Sequence, residues 1–80
     1  MTYISQALKY LYLSLDQDSP ETASDYRINL SNAIVELELA IEYTSSEMVS
    51  LALVDIINSI LNHEELELII SELELIQSEL

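Results

Sequence analysis

Apolar residues recur at three- and four-residue intervals along the whole chain, and no stretch alternates apolar and polar positions over the length of a strand. That spacing marks amphipathic helix. With no glycine and a single proline to interrupt it, the pattern predicts an all-α fold, a small bundle of four helices at about 3–15, 20–43, 46–61 and 63–80. In helix one, Ile4, Leu8, Leu11 and Leu15 share a face, flanked by Ala7, Tyr3 and Tyr10. Helix two is expected to bury Ala23, Tyr26, Leu30, Ala33, Ile34, Leu37 and Ile41. Helix three is apolar over most of its circumference, with Asp55, Asn58, Ser59 and Ser50 as its wet positions, and is therefore expected to be central. Helix four turns Leu66, Ile69, Ile70, Leu73, Ile76 and Leu80 inward.

Three breaks separate these helices. In "DQDSPE", Ser19 can cap a helix that begins at Pro20, where a missing N–H costs nothing. Asp18, Glu21 and Asp25 suit the positive end of its dipole. In "TSSE", Thr44 to Glu47, the spacing fits a capping box in which Thr44 accepts from the backbone near Glu47 and Glu47 reaches back. Asn62 with Glu65 offers another cap, opening helix four at His63. Neither of the last two breaks contains Gly or Pro. Should helices three and four run on as one, the chain cannot close its own core and must dimerise.

A second apolar row runs along two of the helices. At about 100° per residue, Leu68 and Leu75 lie about 180–200° from Leu66, while Ile28, Val35 and Leu39 lie about 120–160° from Ala23. A surface helix of a bundle needs only one stripe. Two readings account for the extra rows: ordinary exposed or bundle-packed apolar residues, or a second interface, for which seven-residue spacing is what a helix-on-helix seam requires. Glu65, Glu72 and Glu79 line one side of the Leu68–Leu75 row; Glu67 and Glu74 line the other. Flanking charges select the partner in such a seam. All-glutamate flanks repel a parallel copy of the same helix and favour a Lys/Arg-rich partner or an antiparallel one.

Composition sharpens this reading. Eighty residues make one domain, 1–80, of a size that buries only about 60% of its unfolded surface, and there is no cysteine to staple it. Half the residues are apolar, which suits a folded chain, yet Lys9 and Arg27 face fifteen carboxylates, for a formal charge of −13. Either the acids serve solubility alone, or they form a surface for a basic partner. Direct phosphate binding to nucleic acid is excluded with two cations. No targeting segment or membrane span stands out, because the apolar run from Met48 to Leu61 is short and contains Asp55 and Asn58. The expected setting is soluble and cytoplasmic.

Catalytic constellations are missing. The one histidine, His63, opens "HEELE". A metal reading pairs it with Glu67, but di-iron bundles use Glu-x-x-His twice and Ile60 stands three residues before His63, so a capping or solvated histidine is expected. Without glycine or cysteine there is no nucleophile elbow, phosphate-cradling loop or thiol nucleophile. No enzyme activity, cofactor or metal is expected. The tyrosines Tyr3, Tyr10 and Tyr12 of helix one read as packing residues, of a type also enriched at interfaces.

"DSPE" resembles the start of helix two in acyl carrier proteins, where an Asp-Ser pair carries the phosphopantetheine, and length and acidity match as well. The likeness stops at three residues: Pro20 replaces the usual Leu or Met, the long preceding loop is absent, and Ser19 falls too early. That assignment is rejected. In charge and size alone, the chain is similar to phage-borne inhibitors that mimic DNA, including anti-CRISPR proteins, which place carboxylates in a protein's phosphate-binding groove. The expected function is a non-catalytic, acidic helical protein-binding module that engages a basic partner, in the manner of an inhibitor or DNA mimic. The alternative is a structural homo-oligomer whose acidity only keeps it soluble. The expected interface residues are Ile28, Val35, Leu39, Leu68 and Leu75, and the acids that meet the partner are Glu65, Glu67, Glu72, Glu74 and Glu79. The expected assembly is a homodimer or a hetero-oligomer.

Overall fold

Among the described residues four helices form in the predicted order: α1 (Thr2–Leu15), α2 (Ala23–Tyr43), α3 (Glu47–Leu61) and α4 (Leu66–Ser78). The computed structural model describes residues 2–15 and 23–80. The cap expected at Ser19 and Pro20, with Asp18 and Glu21 beside it, lies outside the described residues, as does the side chain of Ala23.

Packing runs around the bundle, α1 on α2, α2 on α3, α3 on α4 and α4 back on α1, and among the described residues neither diagonal pair approaches closely. Tyr3, at the start of α1, stacks on Tyr43 at the end of α2 with ring centroids 5.7 Å apart, so these two helices are antiparallel. Gln77 near the end of α4 donates to the Ser5 hydroxyl at 2.8 Å, so α4 is antiparallel to α1 as well. The α1–α2 contact is the most extensive. Small side chains explain it, since Ala7 of α1 and Ala33 and Ala40 of α2 are fully buried and let the two backbones draw together.

The core follows the main apolar stripes. Ile4, Leu8 and Leu11 meet Leu37, and these pack with Leu53, Ile56 and Ile60 of α3 and Ile69, Ile70 and Leu73 of α4. Leu30, Ile34, Ile41, Leu66 and Ile76 are half-buried against that centre; Tyr26 is half-buried at a groove with Ser14, Leu15 and Glu65. Leu80, assigned to the core from its spacing, is exposed, because α4 ends at Ser78. Ser14 is the one buried polar residue among those described. Its hydroxyl donates to the Tyr10 carbonyl at 3.0 Å, so the helix itself satisfies the group.

Both breaks that lack Gly and Pro are real, and their chemistry differs from the expectation. Ser46, and not Thr44, caps α3: its hydroxyl accepts from the Val49 N–H at 3.3 Å. Thr44 instead accepts from the Ser46 N–H at 3.2 Å, tightening the turn before the cap. Asn62 closes α3 and does not open α4. The Glu64 N–H reaches the Ser59 carbonyl and the His63 N–H reaches that of Ile60, both at 3.1 Å. His63 has φ 59°. Those two bonds and that left-handed residue make a Schellman motif, with histidine where glycine is usual. α4 begins later than expected, with Glu65 at its N-cap making no side-chain cap bond.

The central position expected for helix three is corrected. α3 buries Leu53, Ile56 and Ile60 against α2 and α4, while Met48, Leu51 and Leu61 stay exposed and Val54 is partly so. An almost wholly apolar helix is thus a perimeter helix with two stripes.

Candidate protein-binding surface

On α4 the core side chains Ile69, Ile70 and Leu73 fix the rotation of the helix, and period 3.6 then sets what faces out. Leu68 is 59% exposed and Leu75 61% exposed. The two lie seven residues apart, about 10 Å along the axis, on the side away from the core. Glu72 and Glu79 border them on the flank opposite Glu67, Glu79 where α4 meets Met48 and Val49 of α3, while Glu65, at the N-cap, lines a groove with Ser14, Leu15 and Tyr26; all three are exposed. Glu67 borders them toward α1 and is exposed. Glu74 is more constrained, because one carboxylate oxygen accepts the Tyr12 hydroxyl at 2.8 Å. That bond, then burial, then the Glu74 charge raise the Tyr12 phenol above its ordinary 10.0. Glu74 therefore helps hold α4 on α1 while remaining exposed.

The row on α2 is a separate surface. Ile28 and Val35 are exposed, and Leu39 is half-buried. Since α2 and α4 sit diagonally across the bundle without close approach, the five apolar positions do not form one patch. The α4 row has acids on both sides, whereas the neighbours of the α2 row are mixed, with Ser31 and Asn32 beside Val35.

The row on α3 was missed by the sequence reading. Leu51 lies about 160° from Leu53 around the helix axis, the same two-stripe signal that marks α2 and α4. High overall apolarity hid it. Two grooves flank this row. One, of about 420 Å³, runs between α2 and α3 and is lined by Arg27, Leu30, Ile34, Ile60, Leu61 and His63. The other, of about 270 Å³, lies between the start of α3 and the end of α4, among Met48, Val49, Ala52, Ile76 and Leu80.

Among the described residues no three His, Cys, Asp or Glu side chains converge as a metal site, and no helix is long and apolar enough to cross a membrane. The arrangement presents apolar rows edged by carboxylates, which suits binding another chain. No protein-family model matches this sequence, and no curated protein or solved structure shows significant similarity to it.

Proposed function

We propose that this chain is a non-catalytic protein-binding module that lays a basic amphipathic helix along the outer face of α4. In this reading Leu68 and Leu75 supply the apolar seam. Glu65, Glu72 and Glu79 pair with Lys or Arg on one flank of the guest, and Glu67 on the other. A nucleic-acid-binding protein is the kind of partner that exposes such a basic helix, and occupying it blocks its phosphate contacts. The observation that carries the reading is the exposure of two heptad-spaced leucines between glutamate rows on an ordered helix. A solvated face needs no leucine there, and the core does not reach these two.

The test uses a synthetic amphipathic Leu/Lys helix with heptad-spaced leucines as probe. Replacing Glu65, Glu72 and Glu79 with Lys abolishes binding if α4 is the docking face. Replacing Glu36, Glu38 and Glu42 of α2 with Lys changes the net charge equally and leaves most of the affinity. Equal losses from the two triple variants point to bulk charge attraction and overturn the reading.

A further inference from the structure

The exposed row on α3 belongs to a different surface, and its charge pattern names a different occupant. Met48, Leu51, Val54 and Leu61 run along about 20 Å of helix, with Met48 82% and Leu51 60% exposed. Only two acids, Glu47 and Asp55, fall within α3, and no base does. For two copies that each carry −13, α3 combines fewer acids than α2 or α4 with more exposed large apolar side chains than the acid-free α1, which limits the repulsion on close approach. The ends of the row differ in sign. Exposed Glu47 stands beside Met48 at one end. At the other end Arg27 and His63 line the groove with Leu61, and they are two of only three basic side chains in the chain.

From this we infer that α3 is a homodimerisation face, on which two copies meet about a two-fold axis with their α3 helices antiparallel. Leu51 and Val54 then lie near the middle of the contact, with Met48 and Leu61 at its opposite margins. Glu47 of each copy meets Arg27 and His63 of the other. A parallel arrangement stacks Glu47 on its own duplicate, so the charges select the antiparallel one. Isologous pairing also makes each contact twice. One long side of the 40 × 20 × 19 Å molecule, α3 together with the adjoining edges of α2 and α4, projects about the 800 Å² per partner of a standard interface. Asp55, near the middle of the row, lies close to the axis and opposes its duplicate, which weakens the dimer.

This face is distinct from the α4 surface, and the dimer presents two α4 rows outward. The two claims fail separately, since dimerisation is read without any basic probe and probe binding can be read on a monomeric α3 variant.

The experiment is sedimentation equilibrium of the full chain over a concentration series. The expected result is a reversible dimer that Leu51→Glu and Met48→Glu dissociate, while Leu68→Glu leaves it intact. Both α3 positions are solvent-facing, so the variants keep the helical circular dichroism of the parent. Arg27→Glu weakens the dimer by about tenfold, because each reversal acts twice. Adding Glu47→Arg to that variant restores most of the loss, and Asp55→Asn tightens the dimer. A monomer at every concentration overturns the inference. So does a dimer that survives Leu51→Glu, or an Arg27→Glu loss that Glu47→Arg does not repair.

Discussion

The Tyr12 hydroxyl donates to a Glu74 carboxylate oxygen at 2.8 Å, joining α1 to α4 at the edge of the acidic face. The neutral phenol makes that bond, and the phenolate is repelled by Glu74. The pKa is therefore raised above 10.0, and the contribution to stability is complete below pH 10 and fades as pH rises through the raised value. Subtracting the phenolate absorbance titration of Tyr12→Phe from that of the parent isolates Tyr12. Its midpoint is expected above 10.0, falling in Glu74→Ala. A midpoint unchanged by Glu74→Ala contradicts the contact.

Leu73 and Leu75, two residues apart on α4, face opposite ways, the first fully buried and the second 61% exposed. Leu73→Ala is expected to cost about 2–5 kcal/mol, comparable with the whole stability of about 3–5 kcal/mol that a core of this size supplies. Leu75→Ala is expected to change stability by less than about 0.5 kcal/mol. Urea melts of the two variants check both values. Similar losses from both place Leu75 in the core and remove it from the binding face.

His63 ends α3 in a conformation that a side chain disfavours. With φ 59° it carries a strain of about 1–2 kcal/mol that glycine lacks, against glycine's greater loss of chain entropy, about 0.5–1 kcal/mol. His63→Gly is expected to raise the urea midpoint by the equivalent of about 0.5–1 kcal/mol, and His63→Val to lower it.

Glu65 holds the N-cap of α4 without a side-chain bond. Aspartate, one methylene shorter, is among the preferred residues at this position and can accept from the free N–H groups of the first turn. Glu65→Asp is therefore expected to stabilise the fold by about 0.5–1 kcal/mol while keeping the charge that the binding face uses. A melt showing no gain argues against the N-cap geometry.

The stripes that became the core were legible in the sequence, because Ile4, Leu11, Leu37 and Leu73 sit on a period that one buried face accounts for. The rows on α2 and α4 were legible as extra rows for the same reason. Periodicity failed at α3. There nearly every position is apolar, so Met48 and Leu51 look the same as Leu53 and Ile56 until the neighbouring helices fix the rotation. The loops failed differently. Thr44 and Ser46 are both good caps, and the choice between them depends on where the α2 carbonyls end, as shown by the Thr44 N–H bonded to Ala40 at 3.0 Å. Asn62 looked like a helix start because nothing in its neighbourhood announces that His63 takes the left-handed conformation. The five apolar positions expected at one interface divide between two sides of the bundle, a separation set by tertiary packing and invisible to spacing along a single helix.

In the proposed function, Leu68 and Leu75, with the glutamates beside them, form a docking surface. Its most direct measurement is calorimetric titration of the Leu/Lys helix into the parent and into the Leu68→Asn, Leu75→Asn variant at low and physiological ionic strength. Binding is expected to weaken with salt, as exposed charge pairs are screened, and to fall by about tenfold or more in the double variant at both salts, although its charge is unchanged. Equal affinity for parent and variant contradicts it, leaving an acidic surface that attracts cations and a pair of leucines with no part in binding.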